Sequence, residues 1–183
     1  MRSWLIFAGL AALVMGISIG CSSSPRPSSG TDRSALDADS QAAIADFEQR
    51  DPTLTDVLKN SDGYAIFPSI GKGAVIIGGA YGQGEVFEQG KLVGYASMTQ
   101  GSLGLSLGGQ SFAELLIFQT QNATQQFQGQ VTSLTAQASA VAAEAGAGAA
   151  AKFSNGVAVF VNINSGLMAD ASIGGQRFDY EPK

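Results

Sequence analysis

The side chains that most often carry catalysis or bind metals are scarce in this chain of 183 residues. It contains no histidine, which removes the usual general base and the most common metal ligand. Its single cysteine, Cys21, excludes an internal disulfide and any two-cysteine metal site. The carboxylates do not occur at the spacing of a metal-binding loop. The sequence therefore predicts no resident metal and no cofactor.

Nucleophilic catalysis would have to rest on a serine activated by a lysine, because serines are abundant and histidine is absent. Lys72, Lys91 and Lys152 lie beside glycine or within a Gly/Ala segment, where we expect no burial that would lower a lysine pKa. Glu85 and Glu88 could form a pair of carboxylates, but they neighbour a turn and are expected to be solvated. We therefore expect that the chain is not an enzyme.

The glycine-rich segments do not match nucleotide-binding loops. Gly71-Lys72-Gly73 lacks the first glycine at the phosphate-loop spacing and has no Ser or Thr after the lysine. The glycines of 78–84 stand at the wrong offsets for a dinucleotide-binding turn. We interpret these glycines as structural.

The charge is sparse and acidic. Charged residues make up 14% of the chain, against about 25% in typical soluble domains. The formal net charge is -5; Arg2 is the only charged residue of Met1–Gly20, so 9 basic and 15 acidic residues remain beyond it, a balance of -6. Nucleic-acid binding needs a basic surface, so this balance argues against it. It also weakens a simple polybasic attraction to anionic lipid.

The first 20 residues have the three parts of a secretory signal peptide. Arg2 supplies the positive charge, Leu5–Ile17 is an apolar segment, and small residues precede Cys21. The apolar segment is shorter than the roughly 20 residues that a membrane-spanning helix needs. We predict that residues 1–20 are a signal peptide.

Ser18-Ile19-Gly20-Cys21 resembles the lipobox of bacterial lipoproteins, in which the cysteine is lipidated and becomes the mature N-terminus. This resemblance implies an acylated Cys21 and stable anchoring by several acyl chains, palmitate among the expected kinds. Ser22 follows the cysteine; in a Gram-negative host this resembles the signal for the periplasmic face of the outer membrane. Cys21 is thus the predicted lipidation site.

The residues that follow predict a tether and then helices. Residues 21–33 begin with a Ser/Pro-rich run and are expected to be a disordered tether. Ser34–Arg50 carries Leu36, Ala43, Ile44 and Phe47 on one stripe and is predicted to be helical. Asp51-Pro52 is typical of a helix start and predicts a short helix over Thr53–Lys59.

From Tyr64 onwards the pattern predicts strands separated by turns. Val131–Ala143 fits either a strand or an alanine-rich helix, and we favour the strand. The predicted strands are Tyr64–Phe67, Ala74–Tyr81, Gly84–Glu88, Leu92–Thr99, Leu103–Gly108, Ser111–Gln119, Gly156–Ile163, Gly166–Ile173 and Gln176–Tyr180, with a short helix at Thr120–Gln128. Double glycines recur near Gly78, Gly108 and Gly174, and glycine within strands favours strong curvature. The predicted fold is α+β, a strongly curved antiparallel β-sheet or barrel-like sandwich with the N-terminal helices and one short helix packed on it.

An ordered series of short blocks runs along the strand region. The blocks include Ala65-Ile-Phe-Pro68, Ile77-Gly-Gly-Ala-Tyr-Gly82, Leu107-Gly-Gly-Gln-Ser-Phe112, Gly156-Val-Ala-Val-Phe160 and Ile173-Gly-Gly-Gln176. Together they resemble the SYLF domain, also known as the fungal actin-binding module, in its bacterial lipoprotein branch. The resemblance covers about residues 40–181, and residues 34–183 are assigned to a SYLF-like domain.

The resemblance implies lipid binding. The resemblance implies that the eukaryotic members bind lipid through basic residues on an N-terminal amphipathic helix, whereas the corresponding Leu36–Arg50 is acidic here. Lys72, Lys91 and Arg177, each beside a glycine turn, are the candidate head-group contacts. The expected function is a membrane-anchored envelope lipoprotein whose non-catalytic domain binds lipid or an envelope component. The alternative is a structural or protein-interaction module, bound to an envelope protein, for which the lipid is only a tether.

Overall fold

The computed structural model describes residues 30–72, 79–101, 111–129, 132–134, 140–142, 146, 148–163 and 175–183. The described elements are three helices and eight strands. The helices are α1 (Gly30–Arg50), α2 (Thr53–Asn60) and α3 (Gln121–Gln128); the strands are β1 (Gly63–Lys72), β2 (Gly79–Glu88), β3 (Lys91–Gly101), β4 (Ser111–Phe118), β5 (Thr132–Leu134), β6 (Ala140–Ala142), β7 (Val157–Ile163) and β8 (Gln176–Pro182).

The N-terminal helices form where the apolar spacing predicts them. α1 begins at Gly30, four residues before the predicted start, so residues 30–33 are helical rather than part of the tether. Leu36 and Phe47 on its predicted stripe are buried, and Ala43 and Ile44 are partly buried beside them. The stripe therefore faces the sheet.

The two short helices have clear start signals. Asp51 stands two residues before α2 and its Oδ1 accepts the backbone N–H of Thr53 at 3.0 Å, as an N-cap side chain does. Thr120 caps α3 by accepting the backbone N–H of Ala123 at 3.3 Å. The predicted short helix after β4 is confirmed, with Phe127 buried among the residues of the sheet.

The eight strands form one sheet in the order β5-β8-β3-β2-β1-β4-β7-β6. Every pair is antiparallel except β6 with β7, which is parallel. The predicted α+β class and the antiparallel sheet with packed helices are confirmed. Both described parts of Val131–Ala143, which are β5 and β6, are strands as predicted.

Pro68 lies inside β1, although it was predicted to end that strand. The pairing of β1 with β2 shifts between Ile66 and Ser69, and the pairing with β4 shifts between Phe67 and Ile70. A proline has no N–H for a sheet hydrogen bond, and a bulge is one of the few places in a sheet that tolerate it. The bulge allows β1 to continue to Lys72.

The sheet is strongly curled. In a flat sheet, the seven spacings that separate β5 from β6 would place these edge strands about 34 Å apart. Only six peptide units join Leu134 of β5 to Ala140 of β6, and they reach at most about 22 Å. The two edges must therefore approach each other, which confirms the predicted strong curvature.

The curled sheet has an inner and an outer apolar core. The inner core contains Phe67, Met98, Leu116 and Phe178 from four strands, together with Phe127 of α3. The rings of Phe67 and Phe178 lie 5.5 Å apart, and those of Phe127 and Phe178 lie 5.3 Å apart. α3 therefore packs against the inner face of the sheet.

The outer core lies beneath α1 and α2. It contains Phe47 and Leu54 from the helices, packed with Ile66, Leu115 and Phe160 from the sheet. β1, β4 and β7 contribute alternate side chains to the two cores, as the period of two requires.

α1 crosses several strands of the outer face. Near its start, the Arg33 guanidinium lies 4.6 Å from the centre of the Tyr95 ring on β3 and 3.8 Å from Glu181 on β8. Near its end, Asn162 on β7 donates a hydrogen bond to Asp46. The helix therefore links strands that are distant in sheet order.

Some predicted strands lie partly or wholly outside the described residues. Leu103–Gly108 and Gly166–Ile173 fall there entirely, as do residues 74–78 of Ala74–Tyr81. No helix within the described ranges has the length and apolar character needed to cross a membrane.

Candidate functional site

Several strands begin or end at one end of the sheet, which we call the glycine rim. It is defined by Lys72, Gly79, Gly101, Ser111 and Gln176, the terminal residues of five strands. The three recurring double glycines of the sequence adjoin this end, although most of their residues lie outside the described ranges. The candidate cations can now be placed relative to the rim.

Two of the three predicted head-group contacts lie at the glycine rim. Lys72 pairs with Ala80, Ala80 with Gln100, and Gln100 with Gln176. Arg177 follows Gln176 directly on β8. Because β8 and β1 are three strand spacings apart, the backbones of Arg177 and Lys72 are separated by about 14 Å across the sheet. Both residues therefore lie at the same end of the sheet.

Arg177 is available to a ligand. Its side chain is 59% exposed, and its nearest charged partner is Asp179 at 3.9 Å. A surface ion pair of this kind contributes at most about 1 kcal/mol. Arg177 can therefore exchange Asp179 for an external anion at little energetic cost.

Lys91 lies at the opposite end of the sheet. It pairs with Glu88 across the tight turn of Gln89 and Gly90, and the φ of +74° at Gly90 explains the glycine there. β3 runs eight residues from Lys91 to Thr99, the partner of Arg177, which is about 26 Å. Lys91 cannot contact the same head group as the other two residues.

The remaining candidate catalytic and binding residues lie apart from one another or outside the residues that the structure describes. Lys91 and Lys152 are exposed, and the side chain of Lys72 lies outside the described residues, as does the whole of Cys21. The described residues contain no group of three or more His, Cys, Asp or Glu side chains that could hold a metal ion. The roles of Cys21, Lys72, Lys91 and Arg177 stay predictions.

A buried acid in the inner core was not predicted. Glu114 of β4 is 0% exposed and Gln176 of β8 is 2% exposed. Gln176 Nε2 donates to Glu114 Oε2 at 2.8 Å, while Oε1 of each residue has no partner among the described residues. Burial raises the pKa of Glu114 to about 7, and the hydrogen bond from Gln176 opposes this rise only in part. The signal in the sequence was an acidic residue within the apolar run Phe112–Phe118, because glutamate is rarely buried without a partner.

Glu85 is buried on the outer face, and the prediction that it is solvated was wrong. It is 1% exposed beneath α1, where Ser40 is also buried. Burial raises the pKa of Glu85 and the charge of Asp37 adds to the rise, whereas the Ser40 hydroxyl and Lys183 lower it. Ser40 Oγ lies close enough to Glu85 to lower its pKa. Among the described residues, however, neither Ser40 Oγ nor either carboxylate oxygen of Glu85 has a partner with hydrogen-bonding geometry. The reason for the burial is tertiary: α1 covers this part of β2.

Residues 99–182 match the family model Ysc84, described as Las17-binding protein actin regulator. This match over residues 99–182 is to the SYLF family. The resemblance drawn from the glycine blocks is therefore confirmed. No curated protein matches the chain.

The folded unit extends beyond the matched residues. The match includes β4 to β8 and α3, but it begins only at Thr99 near the end of β3. β1 and β2 precede the match and lie between β3 and β4 in the sheet. The matched strands cannot form this sheet without the preceding ones, so residues 63–98 are part of the same folded unit.

Asp51 connects the N-terminal helices to the segment before β7. It is fully buried, and it accepts hydrogen bonds from the backbone N–H of Gly146 at 3.1 Å and of Gly148 at 2.5 Å. Thr53 Oγ1 donates to it at 2.6 Å. Burial raises the pKa of Asp51, but the hydrogen bonds from Thr53, Gly148 and Gly146 outweigh that effect and lower it overall. Asp51 thus acts as a structural anion.

A shallow groove of about 260 Å³ lies beside α2, at the end of the sheet opposite the glycine rim. Its floor includes Val57 and Phe153, and Asp56 is its only charged lining residue. The groove lacks the convergent polar groups expected of a catalytic pocket.

Proposed function

We propose that this chain is a lipid-anchored protein of the bacterial cell envelope whose non-catalytic SYLF domain binds lipid or another envelope component. The anchor is an acylated Cys21 released from the signal peptide of residues 1–20. In a Gram-negative host the domain faces the periplasm from the outer membrane. The observation that carries the binding role is the match of residues 99–182 to the Ysc84 family, which is supported by the exposed Arg177 at the glycine rim.

The printed description of the family names Las17 and actin. A bacterial envelope contains no actin, so actin is not the ligand proposed for this chain. Lipid binding is the property implied by the family resemblance that could also operate in a bacterial envelope. Because the net charge beyond residue 20 is -6, we expect lipid head groups to be contacted by a few individual basic residues and not by a broad basic surface.

The glycine rim is the proposed lipid contact. Lys72 and Arg177 share it, and their separation of about 14 Å spans neighbouring lipid head groups. Lys91 lies at the other end and is not part of this contact. Eight residues, 22–29, lie between Cys21 and the start of α1, so Gly30 stays within about 32 Å of the acylated cysteine. The tether therefore keeps the domain close enough for the rim to reach the bilayer.

Vesicle flotation of the unacylated chain tests lipid binding by the domain itself. The sample is the chain without its signal and with Cys21→Ser, mixed with vesicles of phosphatidylethanolamine, phosphatidylglycerol and cardiolipin. We expect part of the protein to float with the vesicles at low salt and less at high salt, because head-group contacts are screened. Absence from the floated fraction in every mixture would refute lipid binding by the domain.

The second candidate is a protein-interaction module for which the lipid is only a tether. The acidic balance and the scarcity of exposed cations favour it. In this case the acylated chain crosslinks in cells to one dominant envelope protein, and the unacylated chain does not float. Flotation together with a diffuse crosslinking pattern excludes this candidate.

A further inference from the structure

The side chains of Glu114 and Gln176 bridge strands that are far apart in sheet order. β4 and β8 are separated by β1, β2 and β3, yet the two side chains are joined by a hydrogen bond of 2.8 Å. Only the curl of the sheet makes this contact possible. The pair lies on the inner face near the glycine rim, because Gln176 is the first residue of β8 and Glu114 is the fourth of β4.

The surroundings of the pair are apolar. Glu114 is paired in register with Phe67 of β1 and Val161 of β7. β2 and β3 add Val86 and Met98 to the inner core, and α3 carries no acidic or basic residue. Among the described side chains, Gln176 is the one polar group acting on Glu114. Lys72 ends β1 at the same rim, and its side chain lies outside the described residues.

We propose that Glu114 and Gln176 form a proton-controlled latch that holds β8 to β4 across the inner core. When Glu114 is protonated, the latch is closed. When Glu114 loses its proton, the first residues of β8 move away from β4 and water enters the inner core at the glycine rim. This proposal does not depend on whether the domain binds lipid.

The physical reason is the desolvation of the carboxylate. An ionised carboxyl in this position keeps one hydrogen bond, and its Oε1 has no donor among the residues that the structure describes. An isolated buried charge is strongly unfavourable, so the structure gains free energy if water can reach it. The pKa of about 7 places the change near neutral pH.

The start of β8 is the part of the fold best able to move. Gln176 is held by backbone pairing to Gln100 of β3 and to Leu134 of β5, and β5 has only three residues. Gly175, with a φ of +69°, precedes it as a flexible backbone position. Glu114, in contrast, lies within β4, which is paired along most of its length with β1 on one side and β7 on the other.

Amide hydrogen exchange at two pH values tests the latch. The comparison is between the wild-type chain and Glu114→Gln, which keeps the shape of the side chain without an ionisable group. After correction for intrinsic exchange rates, we expect wild-type protection in residues 176–179 to fall about tenfold between about pH 5.5 and pH 8, on either side of the pKa of about 7. In Glu114→Gln it should stay constant, and in β1 it should stay constant in both proteins.

Two further measurements keep the test decisive. Carboxyl ¹³C NMR of wild-type Glu114 must titrate with the same midpoint as the exchange change, so the result holds even if the variant folds poorly. Glu85→Gln removes the other buried glutamate and must leave the change in β8 intact. Unchanged protection in the wild type, an equal change in Glu114→Gln, or loss of the change in Glu85→Gln would each overturn the latch.

Discussion

Gly84 of β2 lies directly against the ring of Phe67 of β1. A Cβ atom at Gly84 would lie 2.6 Å from Cδ1 of Phe67 and would also clash with the carbonyl oxygen of Ile66. The missing side chain lets Phe67 fold flat over the inner face and reach Phe178, 5.5 Å away between ring centres. The glycine content of the strands therefore serves close packing in a curled sheet.

Gly84→Ala should destabilise the domain by about 1–3 kcal/mol, since the new methyl group has no space in the inner core. Gly71→Ala is the matched control, because a Cβ at this glycine of β1 meets nothing within 4 Å. The control should change stability by less than about 0.5 kcal/mol. Urea unfolding of both variants measures the difference. Equal stabilities would show that Gly84 is not packed as described.

Asp51→Asn should lower the free energy of unfolding at neutral pH by about 1–3 kcal/mol, because a buried anion held by three residues loses its charge-assisted hydrogen bonds. The pKa of Asp51 is lowered in the fold, so its contribution is present above the unfolded pKa and is lost as the pH falls through the folded pKa. The variant should therefore lose less stability in acid than the wild type.

Asp56→Asn, at an exposed position of α2, is the control for Asp51→Asn. Thermal unfolding followed between neutral pH and about pH 3 measures both variants against the wild type. If Asp51→Asn kept the full acid sensitivity of the wild type, the structural role given to Asp51 would be wrong.

Glu85→Gln should make the domain less sensitive to rising pH. Burial raises the pKa of Glu85, so its favourable contribution is present below the unfolded pKa and is lost as the pH rises through the folded pKa. We expect the variant to gain stability over the wild type at alkaline pH and to differ little at about pH 4. Glu88→Gln, three residues along and only partly buried, should behave like the wild type. Denaturant unfolding across this range would contradict the burial if the two variants behaved alike.

The sequence predicts this fold well where a local pattern determines it. The stripe of Leu36 and Phe47 predicts α1, and Thr120 marks the start of α3. Pro68 was read as the end of a strand because a local reading cannot foresee a bulge. Glu85 and the Glu114–Gln176 pair were missed for another reason: their burial depends on contacts between segments far apart in sequence, 62 residues in the case of the pair.

The predicted head-group contacts show the same division. The positions of Lys72, Lys91 and Arg177 beside glycine turns are visible in the sequence. Their distribution over the two ends of the sheet is not, because it follows from the strand order β8-β3-β2-β1. Sequence reasoning therefore found the cations but could not group them.

Arg177→Gln and Lys72→Gln should each weaken binding to anionic vesicles about fivefold, since one basic residue near an anionic surface contributes about 1 kcal/mol. Lys91→Gln is the matched control, because it removes the same charge at the opposite end of the sheet. Vesicle sedimentation at increasing lipid concentration gives the three affinities. Equal losses in all three variants would indicate a diffuse charge effect and would contradict the glycine rim as the contact.

The central claim, a lipid-anchored envelope protein, is tested most directly by mass spectrometry of the mature N-terminus. The protein is isolated from the membranes of cells that express the full chain, and its first peptide is measured intact. The account predicts that this peptide begins at Cys21, carries acyl chains and lacks residues 1–20. A mature chain that begins at another residue, or a Cys21 with a free thiol, would contradict it.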